Sequence, residues 1–253
     1  VRITFLGTGT SQGIPVIGCQ CEVCKSADSK DKRLRSSVLI EVDGLHLVID
    51  SGPDFRQQML RHDVRKLDGI LFTHEHKDHI AGLDDVRAFN WVNKVPAEVY
   101  AEHRVSKALQ VEFAYAFAEK PYPGVPKINL NIIDEQPFYI QNTEITPIRG
   151  KHMHLPVLGY RIKDFTYLSD FNYISEESLE NVKGSKVVVV NAVRKEPHVS
   201  HYCLSEAIEV IQKSGAEQGY ITHVSHQMGM YQKENKLLPH GIEFAYDNLI
   251  IDI

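Results

Sequence analysis

The sequence contains no uninterrupted apolar run long enough to span a bilayer, so a membrane-crossing helix is not expected. It does not open on a charged-then-apolar leader; Val1 to Leu6 reads as a strand. It has no broad basic character: the formal net charge is −5 over 253 residues. The large electrostatic footprint that RNA or DNA binding leaves is therefore missing. Cysteine is scarce, with four residues, three of them between Cys19 and Cys24. That spacing suits a metal site in a reducing compartment better than a disulfide framework. The expected location is the cytoplasm, with neither a membrane nor a nucleic acid as partner. What is present is ordinary globular material, 43% hydrophobic and 24% charged. It can bury a sizeable core without covalent staples. No residue-level repeat is visible, and residues 1–253 are expected to form one domain.

Strand-like runs dominate both halves. Arg2–Leu6 ends in Gly7-Thr8-Gly9-Thr10, and a Gly-, Pro- and Cys-containing loop follows to about Arg35. Ser37–Val42 and Leu45–Ile49 flank Asp43-Gly44, a strong hairpin signal. Gly69–Phe72 is a short apolar strand. Helical spacing follows over Gly82–Val92 and Val105–Phe117, and Lys120–Pro126 is the most loop-like stretch, expected as a surface lid. In the second half Thr143–Ile148, Val157–Ile162, Phe165–Leu168 and Tyr220–Thr222 read as strands. Val187–Val190 is continuously apolar, as in a strand buried on both faces. Helices are expected over Glu176–Val182 and Leu204–Lys213, with a last strand or pair within Glu243–Ile253. Two packed sheets with helices outside satisfy this order.

The chemistry concentrates where strands stop. His74-Glu75-His76-Lys77-Asp78-His79 follows Thr73 directly. His74 and His76 stand two apart and face one way in an extended segment, while Asp78 and His79 can face a second point on the turn beyond. Imidazole nitrogen with carboxylate oxygen suits zinc, manganese or iron. Four residues cannot fill two coordination spheres, and three further strand ends offer Asp170, His223 and either His152 or His154.

This pattern resembles the histidine-x-histidine-x-aspartate-histidine signature of the metallo-β-lactamase superfamily. The resemblance implies a four-layer αβ/βα sandwich, two mixed β-sheets with helices on the outside, and a two-metal site at one sheet edge. It places His74, His76 and His152 on one metal, Asp78, His79 and His223 on the other, and Asp170 between them. His152 is preferred to His154 because the family's ligand stands seven before the glycine, here Gly159. Asp50 resembles the family's aspartate that orients a ligand histidine.

Cys19-x-Cys21-x-x-Cys24 gives three thiolates within six residues, which favours a closed zinc site. His226, in Thr222-His223-Val224-Ser225-His226-Gln227, is the natural fourth ligand, and Cys203 is left as a free thiol. With Gly7-Thr8-Gly9-Thr10-Ser11-Gln12-Gly13-Ile14-Pro15, these residues look like the PhnP-type phosphodiesterases. That resemblance implies a structural zinc in the loop near 18–25, two divalent ions (manganese or zinc) at the active site, a homodimer, and hydrolysis of a small cyclic phosphodiester. Asp78 and His201 are then the expected catalytic residues, His201 as proton donor or phosphate contact with His198 as its runner-up. Phe171 and Asn172 are expected to border the pocket. Rival readings are a tRNA 3′-processing endonuclease, a thioester hydrolase of the glyoxalase II kind, a true β-lactamase, and a non-catalytic metal or redox sensor.

Overall fold

The structure is a computed structural model that describes residues 1–253. Six strands build most of the first sheet: β1 (Arg2–Gly7), β2 (Ser37–Val42), β3 (Leu45–Ile49), β4 (Gly69–Leu71), β5 (Ala97–Glu102) and β6 (Ile128–Ile133). The second sheet takes β7 (Phe138–Ile140), β8 (Thr143–His152), β9 (Leu155–Ile162), β10 (Phe165–Leu168), β11 (Tyr173–Ile174), β12 (Val187–Asn191), β13 (Gln218–Thr222) and β14 (Ile242–Phe244). The last strand, β15 (Ile250–Asp252), returns to pair with β1, so the first sheet runs β15-β1-β2-β3-β4-β5-β6. The second runs β11-β8-β9-β10-β12-β13-β14, with β7 on β8. Both sheets are mixed: β3 to β6 are parallel, as are β10, β12, β13 and β14.

The helices are α1 (Glu22–Lys25), α2 (Phe55–Arg61), α3 (Lys77–Ile80), α4 (Arg87–Asn93), α5 (His103–Glu112), α6 (Glu176–Val182), α7 (Leu204–Ser214) and α8 (Tyr231–Glu234). Three apolar layers follow from strand alternation. One lies between the sheets, where Phe5, Ile40, Leu47, Leu158, Tyr160 and Val189 meet. One lies under α6 and α7, where Val188, Val190 and Ile221 meet Leu179 and Ile211. The third lies under α2 and α5. Each fully buried Leu, Ile, Val or Phe contributes roughly 1.5–3 kcal/mol. Residues 187–190 are buried on both faces, as their unbroken apolar run predicts. No helix is long and apolar enough to cross a membrane.

Three sequence expectations change. The helix read over Val105–Phe117 is α5, which starts at His103 and ends at Glu112. The span Gly82–Val92 is not one helix but a tighter turn over Leu83–Val86 followed by α4. Nor is the 120–126 stretch a lid over the metal-type residues. The start of β5 pairs with the start of β6, and residues 123–127 face Asn90, Trp91 and Lys94 across a recess of about 480 Å³. The histidine loop leaves the opposite, C-terminal end of β4.

Candidate metal centre

Parallel strands end together, and their last residues crowd one crevice. β4 leads through Phe72 and Thr73 to His74; β10 leads through Ser169 to Asp170; β13 leads directly to His223. β8 runs longer than its apolar alternation suggested and carries His152 as its last residue. Asp170 (φ 62°) and His223 (φ 55°) both take left-handed backbone, as does Asp50 (φ 63°) at the end of β3. That conformation costs a non-glycine residue about 1–3 kcal/mol and persists where surrounding structure enforces it. Here it bends each chain back over the sheet edge. Gly52 allows the close approach of the Ser51–Asp54 turn to the histidine loop: a Cβ there would stand 2.0 Å from the carbonyl oxygen of Asp78.

The side chains converge. His79 Nε2 lies 3.2 Å from Asp78 Oδ2 and 2.6 Å from Asp170 Oδ2. His223 Nε2 lies 2.9 Å from Asp170 Oδ1 and 3.6 Å from Asp78 Oδ2. Asp170 Oδ2 also stands 3.4 Å from His74 Nε2. Asp78, His79, Asp170 and His223 thus form one compact group. His74, His76 and His152 form a looser one, with ring centroids 4.6, 5.1 and 5.6 Å apart. Asp170 reaches members of both, and the His74 and His79 rings meet across them with centroids 4.3 Å apart. His152 is buried and faces this cluster, whereas His154 is exposed in the turn beyond it. His76 lies on the solvent side. His201 sits over the same point, its Nε2 3.4 Å from Asp170 Oδ1, with its ring stacked on His223 and against His152. His198 is one layer further out, Nδ1 to Nδ1 3.3 Å from His201.

The donor set fits divalent cations. His74 Nε2, His79 Nε2, His152 Nδ1, His223 Nε2 and Asp170 Oδ1 are buried and make no well-aligned hydrogen bond, despite the close His–Asp approaches, a costly state unless a cation lies between them. The outer ring atoms are fixed in advance. Asp50 accepts from the Thr73 N–H (2.9 Å) and Thr73 hydroxyl (2.8 Å) and meets His79 Nδ1 at 2.7 Å. Thr73 Oγ1 meets His74 Nδ1 at 3.0 Å. Both contacts leave Nε2 facing the crevice.

Electrostatics divide the two halves. Burial alone would lower every histidine here. It does so for His152, which falls to about 4, and for His74. At His223 burial is overcome by the Asp170 carboxylate, and the imidazole rises to about 9. Asp78 and Asp170 likewise outweigh burial at His79 and hold it well above its ordinary value. In metal-free protein at pH 7, His79 and His223 therefore carry protons that a cation must displace, while His152 and His74 do not. Loading the Asp78–His79–His223 half should release up to about two protons, and its affinity should climb with pH through about 9, where the His223 imidazole gives up its proton. Calorimetry at pH 7 in two buffers of different ionisation enthalpy reads this directly; identical apparent enthalpies would refute it.

A second cluster lies three residues past His223. His226 Nδ1 is 3.3, 3.4 and 3.6 Å from the sulfurs of Cys19, Cys21 and Cys24. Ligands on a tetrahedral zinc, with sulfur at about 2.3 Å and nitrogen at about 2.0 Å, stand about 3.5 Å apart. The Val16 N–H donates to Cys24 Sγ and the Cys24 N–H to Cys21 Sγ, both at 3.4 Å. The Cys24 N–H is the main reason the Cys21 thiol falls to about 6. Cys203 is a buried free thiol at the start of α7, away from this group.

One residue that shapes the site escaped sequence reasoning. Buried Asn191 donates to the Phe171 carbonyl (3.0 Å) and accepts from its N–H (2.7 Å), clamping the turn after Asp170. Its one signal was that it closes the Val187–Val190 run. Asn172 accepts from the Met153 N–H (2.8 Å) and donates to the Val199 carbonyl (3.1 Å), tying the His152 turn to the His201 loop. Asn172 therefore borders the site as expected. Phe171 does not: it is fully buried, its ring filling the space where a Cβ on Gly150 would be.

Comparison with known proteins gives these arrangements a context. Residues 46–224 match the family model described as a beta-lactamase superfamily domain. A crystal structure described as a new diphosphatase from the PhnP family superposes with a TM-score of 0.93 at 34% identity, covering 100% of this chain and 97% of that one. The zinc-bound PqqB of Methylobacterium extorquens shares the fold at 17% identity, with a TM-score of 0.76 and full coverage of both chains. An octanoyltransferase of Porphyromonas gingivalis is 39% identical over 257 residues, 100% of this chain and 52% of that protein. The chain thus spans about half the length of that curated relative.

Proposed function

Since this chain belongs to the PhnP family of the metallo-β-lactamase superfamily, we propose that it is a metal-dependent phosphodiesterase acting on a small, cyclic phosphodiester. The observation that carries the reading is the seating of His201 over the carboxylate shared by both halves of the centre, 3.4 Å from Asp170 Oδ1. His74, His76 and His152 would hold one ion, Asp78, His79 and His223 the other, and Asp170 both; Cys19, Cys21, Cys24 and His226 would hold a structural zinc. Bound divalent cations supply Lewis-acid stabilisation of phosphate oxygens and acidify water near neutral pH.

The chain's own residues do the rest. Asp78 and Asp170 offset roughly half of the charge of two dications, leaving about +2 to attract an anionic diester. Asp50 and Thr73 hold the imidazoles of His79 and His74 in the orientation that presents Nε2. His201 is placed to give a proton to the departing alkoxide, and Asp78 is a second carrier in reach.

One observation favours a second reading. The relative named an octanoyltransferase matches all of this chain over 52% of its own length, so chemistry on an octanoyl group, tested as thioester hydrolysis, is the alternative. The neighbour described as a diphosphatase adds the phosphoric anhydride bond. A single panel separates them: metal-loaded protein with a ribose cyclic phosphodiester, a nucleoside diphosphate, a precursor tRNA and an octanoyl thioester. The expected result is kcat/KM highest on the cyclic diester by at least about tenfold. A preference for the thioester would replace phosphodiesterase with acyl hydrolase, and a preference for the tRNA would make it a processing nuclease.

A further inference from the structure

The three histidines of the looser half of the centre come from different sheets. His74 and His76 leave β4 of the first sheet, whereas His152 ends β8 of the second. Nothing in either sheet's own hydrogen bonding fixes the distance between them. The residue between the paired histidines, Glu75, points the other way, and its carboxylate pairs with Arg104 in the first turn of α5. The same guanidinium donates through its second nitrogen to the Pro156 carbonyl at 2.5 Å. Pro156 lies on β9 opposite Lys151, one register step from the His152–Leu155 pair. Around this bridge the seam is closed by the Leu158 N–H on the Thr73 carbonyl (3.1 Å) and the Tyr160 hydroxyl on the Phe72 carbonyl (2.6 Å).

We infer that Arg104 is a positioning residue. Through Glu75 on one side and Pro156 on the other, it sets the separation of His74 and His76 from His152, and so the affinity of that half of the centre. A charged side chain that is about one-third exposed would contribute little as an isolated surface pair. This one is bidentate across two chain segments that each carry ligand histidines, and a planar guanidinium fixes both contacts in one geometry. The opposite half, Asp78, His79 and His223, meets its partners without this bridge. The inference rests on the two-metal reading above.

The experiment is metal counting with a competing chelator on the full chain, for wild type, Arg104→Met, Glu75→Gln and the double variant, with Arg87→Met as a surface-pair control. Wild type should retain two chelator-resistant ions besides the one held by the cysteines. Arg104→Met should weaken one of the two by about 10–100-fold and leave the second ion and the cysteine-held ion unchanged. Glu75→Gln should lie between, and the double variant should be no worse than Arg104→Met, because the two residues act as one unit. Melting of the metal-free forms should coincide. Arg104→Met with both ions held as in wild type overturns the inference alone. Parallel weakening of all three ions with a lowered melting point also overturns it, in favour of a general structural role. A wild type that never takes up the pair overturns the two-metal reading, and the inference with it.

Discussion

Replacing His201 with alanine should lower turnover of a diester with an alkoxide leaving group by about 10²–10⁴-fold, the usual range for removing a positioned proton donor. The size of the loss should depend on the leaving group. An alkoxide is too basic to depart unprotonated near pH 7, so the imidazole over Asp170 matters most there. p-Nitrophenolate leaves without help, so bis-p-nitrophenyl phosphate should lose far less in the same variant. Steady-state kinetics on the two substrates gives the ratio. An equal loss on both would make His201 a phosphate contact instead, and no loss on either would remove it from the chemistry. Metal content should be unchanged in every case, since the seven residues proposed to hold the pair are left in place. His198→Ala should fall between, because that ring meets His201 at 3.3 Å and does not reach Asp170.

Breaking the cysteine cluster should be as damaging, although no cysteine touches the proposed reaction. Val224, next to His223, is held on both sides by the first loop: its N–H donates to the Thr8 carbonyl (2.9 Å), and its carbonyl accepts from the Thr10 N–H (3.2 Å). Two residues later His226 meets Cys19, Cys21 and Cys24. A structural zinc contributes on the order of 10 kcal/mol to ordering such a loop. Cys24→Ser should therefore lower the melting temperature by about 10 °C or more, and activity should be lost along with one active-site ion as His223 drifts. A variant that melts with wild type and retains full turnover would show that the loop and the centre are independent.

Much of this was legible from local pattern. A strand end followed by His74-x-His76-x-Asp78-His79 announces ligands, because period-two geometry aims alternate residues together. Asp43-Gly44 forms the expected tight turn, with both residues at positive φ. The two-sheet architecture followed from alternating runs and the family likeness. What could not be read were contacts made across long stretches of chain. Asn191 clamps a turn twenty residues earlier, and Arg104 reaches Glu75 and Pro156 from a helix surface where arginine is commonplace. The 120–126 stretch misled because proline-rich composition marks a loop without saying at which end of the sheet it lies. Phe171 misled because neighbouring a candidate ligand in sequence does not settle which way a ring points.

The left-handed backbone at Asp50, Asp170 and His223 restricts what can replace these residues over evolutionary time. Glycine, asparagine, aspartate and histidine tolerate such dihedral angles, whereas branched side chains resist them. A lineage that abandons catalysis while keeping the architecture would then drift first toward asparagine or glycine at these three tips. An aspartate-to-asparagine exchange at position 170 would be the least conspicuous step, silencing the chemistry while leaving the outline of the molecule intact.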